Sequence, residues 1–122
     1  MHICLDIDDT ITNAPELFSL LAALADATIT VVTFRTDADG ARATLAESGV
    51  RFDRLITSSD PDCGKRHGQG LAQWKAAVVN HLQPDWFFED MPEVVALIHP
   101  TIKVFMPVDE LMRSWVGKAA GA

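Results

Sequence analysis

Two aspartates spaced two apart, Asp6 and Asp8, close the first apolar run of the chain in Leu5-Asp6-Ile7-Asp8-Asp9-Thr10. If the backbone is still extended there, both carboxylates project to the same side. At ~6 Å they repel by roughly 3 kcal/mol at an effective dielectric near ~20. Such a pair asks for a cation between its members or a proton on one of them. Mg²⁺ meets that need, because it accepts one or two carboxylates together with water and substrate phosphate. The plainer reading of an Asp-X-Asp step is a solvated turn in which Asp9 caps the helix that follows.

Three further positions carry chemistry of the same kind. Thr33 lies at the end of a β-branched run, where a hydroxyl and neighbouring amides can bond a phosphoryl oxygen. Glu89 and Asp90 follow the aromatic run Trp86-Phe87-Phe88. One of them can join Asp6 around a cation while the other caps the helix starting at Pro92. Lysine is scarce, at positions 65, 75, 103 and 118. Lys75, on the helix before the Glu89-Asp90 strand, can reach the acids and neutralise a phosphoryl group.

The elements that must position these residues follow from periodicity. Strands are expected at His2–Ile7, Thr28–Phe34, Arg54–Thr57, Trp86–Glu89 and Ile102–Met106. Helices are expected at Glu16–Ala25, Ala38–Ser48, Leu71–Leu82, Pro92–Ile98 and Asp109–Val116. Asn13 or Pro15 marks the first helix start, Asp37 or Asp39 the second, and Gly49 its end. Ser58–Gly70 is a polar, Gly-containing loop carrying Lys65-Arg66-His67. Five strand–helix units predict an α/β fold, a Rossmann-like three-layer sandwich on a five-stranded, mainly parallel sheet. Ligand chemistry then belongs at the carboxyl ends of the strands, where all the residues above fall except helix-borne Lys75.

The order of these signals resembles the haloacid dehalogenase superfamily of phosphotransferases, with Leu5–Thr10 matching its first motif closely and the likeness covering nearly the whole chain. The resemblance implies that Asp6 attacks phosphorus and carries an aspartyl-phosphate. It implies that Asp8 protonates the leaving alkoxide and later activates water. It also implies a Mg²⁺ ion held by Asp6, the main-chain carbonyl of Asp8, and Asp90, with Glu89 the alternate. Thr33 and Lys75 take the phosphoryl-stabilising roles. Lys65 fits the spacing of larger members; Lys75 is preferred because Gly68 and Gly70 leave Lys65 on a mobile loop. The acid at Asp8 favours hydrolysis of phosphate monoesters over carbon–halogen bonds. Neither inter-motif interval is long enough for a cap, so a single capless domain over residues 1–122 is expected, its site open to a substrate contacted by Asp9, Arg35 and Lys65.

Composition narrows the partners. In 122 residues, 10 Lys+Arg stand against 17 Asp+Glu, giving a net charge of −7. That balance disfavours nucleic acid and anionic membrane without barring a local basic pocket. Two cysteines make neither a disulfide framework nor a metal cluster, and Cys4 reads as a small buried hydrophobe. His2, His81 and His99 show no ligand spacing, and Trp74, Trp86 and Trp115 are expected to fill the helix–sheet layers. With no basic, apolar leader and no spanning segment, the expected location is the cytoplasm. An open site is compatible with a homodimer. Two rivals share the architecture: a receiver-like signalling domain and a non-catalytic phosphate-binding module. The first needs an aspartate after the third strand, where Thr57-Ser58-Ser59 stands instead; the second has no need of Asp8.

Overall fold

The computed structural model describes residues 1–107 and 110–121. Five strands, β1 (His2–Leu5), β2 (Thr28–Thr33), β3 (Arg54–Thr57), β4 (Trp86–Phe88) and β5 (Lys103–Phe105), form one sheet in the order β3-β2-β1-β4-β5. Every pairing is parallel. The connecting helices are α1 (Pro15–Ala22), α2 (Ala38–Glu47), α3 (Leu71–Leu82) and α4 (Pro92–Val95), with α5 (Glu110–Gly121) after β5.

Strand alternation divides the core in two. Ile3, Leu5, Ile29 and Val31 face one side, where Phe18 and Ala22 of α1 and Ala41 and Leu45 of α2 cover them. Cys4, Val32, Ile56 and Phe87 face the other, under Trp74 and Val79 of α3 and Val94 of α4. The strands are apolar on both faces because both faces are roofed, as parallel sheets require. Each fully buried Leu, Ile or Val contributes about 1.5–3 kcal/mol. The fold is the expected Rossmann-like α/β sandwich. Its tryptophans divide as expected between the two layers, Trp74 in one and Trp86 against the other; the side chain of Trp115 lies outside the described residues.

Most element boundaries move by a few residues. The β1 strand stops at Leu5 rather than Ile7, because residues 7–10 form a tight turn in which the Thr10 and Thr12 amides both bond the Ile7 carbonyl. The α1 helix begins on Pro15 and ends at Ala22, not Ala25; Met1 bonds the Asp26 carbonyl through its amino group and leads Thr28 into the sheet. The α4 helix ends at Val95, not Ile98, where Asn80 of α3 donates to the Leu97 carbonyl and accepts from the His99 amide. Asp37 caps α2 by accepting from the Asp39 amide, and Gly49 beyond its end has the left-handed φ of +68° that glycine tolerates. The expected start of the last helix, Asp109, lies outside the described residues. Among those residues no helix is long and apolar enough to cross a membrane.

The strand order runs outward from β1 to β2 and β3, then crosses to β4. The reversal therefore falls between β1 and β4, whose carboxyl ends flank one crevice. Into it point the chain after Leu5 and the chain after Phe88.

Candidate active site

Asp6 leaves β1 as its first residue beyond the strand, its amide still bonded to the Phe88 carbonyl at 3.0 Å. That bond ties the end of β1 to the end of β4 and withdraws the Asp6 side chain from solvent. One carboxylate oxygen, Oδ2, accepts the Thr10 hydroxyl at 2.9 Å. The other, Oδ1, accepts Lys75 Nζ at 2.5 Å. Thr10 reaches back because of the turn over residues 7–10, so the turn that ends the strand also supplies a ligand to its last acid.

Lys75 sits one turn into α3, and the crossover from β3 to β4 lays that helix over the sheet. Its ammonium is held between Asp6 and Glu89 Oε1, which is 2.7 Å away, and lies 4.6 Å from the centre of the Phe34 ring. Glu89 is fully buried; its Oε2 accepts the amides of Asp90 and Met91 at 3.0 and 3.3 Å. Oε1 faces Lys75 at an angle that makes no hydrogen bond. It is Glu89, then, that satisfies the amides leading into α4, and no side-chain bond from Asp90 caps that helix.

Carboxylate oxygens of Asp6, Glu89 and Asp90 lie within 4.8 Å of one another. Burial pushes the Asp6 carboxyl up to about 6 against the opposing pull of Lys75. Burial likewise raises Glu89, again opposed by Lys75, and raises Asp90, with the neighbouring Glu89 adding to the effect. Lys75 pairs with Asp6 and Glu89 while Asp90 stands beside them, so the group carries surplus negative charge when ionised. A divalent cation bound by carboxylates relieves that surplus. The donor set is all oxygen and suits Mg²⁺.

Asp8 is placed differently from expectation. The chain is not extended at Asp6-Ile7-Asp8, so the two carboxylates do not share a strand face, and the Asp8 side chain is outside the three-acid group. It accepts both Arg35 Nε (3.0 Å) and Arg35 Nη2 (2.7 Å), a two-pronged ion pair at the site's solvent edge. Those bonds hold its carboxyl below the usual range. Thr33 ends β2, buried, with its hydroxyl accepting the Arg35 amide at 3.1 Å. No hydrogen bond joins it to Asp6 among the described residues.

Asp9 is exposed with φ of +63°, and its amide donates to the Thr12 hydroxyl, so its side chain does not cap the short 3-10 turn Ile11–Asn13. Lys65 stays exposed, donating to the Arg66 carbonyl; of the two candidate lysines, Lys75 is the one brought to the acids. Sequence reasoning missed the Thr10–Asp6 bond, though a hydroxyl four positions on in an Asp-rich turn was its signal. It also missed that Arg35 is already engaged by an aspartate, for which spacing offers no signal across 27 positions.

No protein-family model matches the chain, and no curated protein matches it. Among solved structures it resembles a chain of the Pnkp1/Rnl/Hen1 RNA repair complex, with a TM-score of 0.67 and 12% identity over 87% of this chain and 42% of that one. A chain from another structure of the Pnkp1/Rnl/Hen1 complex matches with a TM-score of 0.65 and 13% identity, over 87% of this chain and 45% of that one. This chain thus spans less than half the length of those it resembles, and at such identity the likeness is one of fold.

Proposed function

We propose that this chain is a Mg²⁺-dependent phosphatase of the haloacid dehalogenase type, hydrolysing phosphate monoesters through an aspartyl-phosphate on Asp6. The observation that carries the reading is the setting of Asp6: at the switch point of the sheet, bonded by Thr10 and Lys75, with Glu89 and Asp90 close by. Asp6, Asp90 and the main-chain carbonyl of Asp8 would hold Mg²⁺, whose charge would let an anionic phosphate approach the acids. Asp90 is preferred to Glu89 because Glu89 is committed to Lys75 and to two amides.

The chain's own residues account for the remaining steps. An Asp6 oxygen forms a bond to phosphorus as the ester oxygen departs, and Asp8, having first taken a proton from solvent in place of its pairing with Arg35, gives that proton to the departing oxygen. Water then attacks the acyl-phosphate, Asp8 takes a proton from it, and inorganic phosphate leaves with Asp6 restored. Lys75 offsets charge on the transferring group, and Thr33 offers a hydroxyl. In this reading Asp9 and Lys65, both exposed, would contact the substrate, while Arg35 is held by Asp8. A cytoplasmic setting and a homodimer remain part of this reading.

The test is turnover of p-nitrophenyl phosphate with and without Mg²⁺, followed by a panel of sugar phosphates, nucleotides and phosphoproteins. The fold's likeness to a chain of an RNA repair complex puts phosphorylated RNA ends on that panel. Acid quenching should trap phosphate on Asp6, located by peptide mass spectrometry, and Asp6→Asn should abolish turnover. Hydrolysis that survives Asp6→Asn or full chelation would refute the assignment.

A further inference from the structure

The crossover that carries α3 toward the centre of the sheet leaves one flank thinly covered. The edge strand is β3, and α3 leads away from it toward β4, where Lys75 meets the acids. On this side the loop after β3 roofs what a helix would otherwise cover. That loop is firmly tied: Trp74 Nε1 donates to the Cys63 carbonyl at 2.8 Å, and Asp60 Oδ1 accepts the amides of Asp62 and Cys63 at 2.9 and 3.1 Å. Between strand, loop and helix lies a cleft of about 550 Å³, lined by none of Asp6, Glu89 and Asp90. Its floor is apolar, with Ile56 and Trp74 buried and Val78 and Leu82 half-buried. Arg54 and Arg66, both exposed, line it as well.

These two arginines differ from their counterparts elsewhere on the surface. Arg35, Arg42 and Arg51 each pair with an aspartate, whereas Arg54 and Arg66 make no salt bridge among the described residues. Arg54 Nη2 faces the Cys63 sulfur at 3.6 Å, a weak acceptor. Counting histidine as neutral, the lining carries Arg54 and Arg66 against Asp62 alone, in a chain whose net charge is −7. Guanidinium groups without a carboxylate, set beside an apolar floor, suit an anion that brings its own apolar body. The volume falls within the ~300–1,000 Å³ of small-ligand sites. We propose that this cleft binds a small organic acid with a flat apolar body, an arylalkyl carboxylate, its ring over Ile56, Val78 and Leu82 and its carboxylate drawn to Arg54 and Arg66. The site stands apart from the acids at the switch point and does not depend on the phosphatase reading.

The experiment titrates the isotope-labelled protein with three probes and follows its backbone amides by NMR. The probes are indole-3-acetate, its uncharged counterpart indole-3-ethanol, and inorganic phosphate. Indole-3-acetate should shift the amides of Ile56, Cys63, Gln69 and Val78, and should bind ~10-fold or more tightly than indole-3-ethanol, since charge-assisted bonds are made only by the acid. The double variant Arg54→Gln, Arg66→Gln should lose that preference while binding indole-3-ethanol as before, with an unchanged melting temperature, because both side chains are exposed. Equal affinity for the acid and the alcohol would reduce the cleft to an apolar slot and overturn the proposal. Inorganic phosphate binding at the cleft as tightly as indole-3-acetate would leave the apolar floor without a role and overturn it too. Shifts confined to Asp6, Lys75, Glu89 and Asp90, or no shifts at all, would place no ligand in the cleft and refute it outright.

Discussion

Lys75 and Glu89 form an ion pair of 2.7 Å between α3 and the residue that follows β4, with 1% and 0% of the two side chains exposed. The same ammonium bonds Asp6. One lysine from the helix layer therefore ties together the carboxyl ends of the two strands that flank the crevice. A pair so deeply buried is poor value for stability compared with apolar packing, because both charges lose their water. Its setting is better explained by what it holds in place.

Replacing Lys75 with Met leaves Asp6 and Glu89 buried without their counter-charge. Losing one partner of a buried ion pair costs about 3–5 kcal/mol. Urea unfolding in the presence of a chelator should show a loss of that order at neutral pH, and a smaller one in acid, where the carboxyls protonate. Added Mg²⁺ should recover part of it. A midpoint that does not move would mean the acids are not held by Lys75.

Stability should also respond to pH through Asp6. Its carboxyl is raised from 3.8 to about 6 by burial, so the metal-free folded state binds that proton more tightly than the unfolded chain. The resulting stabilisation is complete below the unfolded value and is lost as pH rises through about 6. A cation competes with the proton for the same oxygens, so Mg²⁺ should raise the melting temperature little near pH ~5 and clearly near pH ~7.5. In Asp6→Asn this pH dependence of the Mg²⁺ effect should flatten.

Glu89 and Asp90 should separate cleanly on substitution. Asp90→Asn is expected to weaken Mg²⁺ binding, read by calorimetry, with a stability change within about 1 kcal/mol, since no salt bridge engages Asp90 among the described residues. Glu89→Gln weakens two amide bonds and removes one of the two carboxylates paired with Lys75, and should destabilise the fold by a larger amount. The reverse pattern would make Glu89 the direct ligand.

The chemistry was legible in the sequence wherever it is local. Asp6, Thr33, Glu89 and Asp90 could be found because each directly follows an apolar run or ends one, and strand ends in a parallel sheet are where ligands bind. The helix Leu71–Leu82 and the strand Arg54–Thr57 keep the boundaries expected of them. The placing of Asp8 failed for an equally local reason: the extended backbone it assumed gives way to a turn one residue after Asp6.

Residue types and their order along the chain determined the α/β alternation and the acids at the strand ends, because these depend on periodicity and on neighbours. Tertiary structure alone decided the distant partners: Lys75 on Asp6 and Glu89, and Arg35 on Asp8. Those choices depend on which strands lie side by side and how far each helix is carried across them. Contacts between residues 27 or 69 positions apart leave no mark in local spacing. They exist only once the crossover from β3 to β4 has brought α3 over the centre of the sheet.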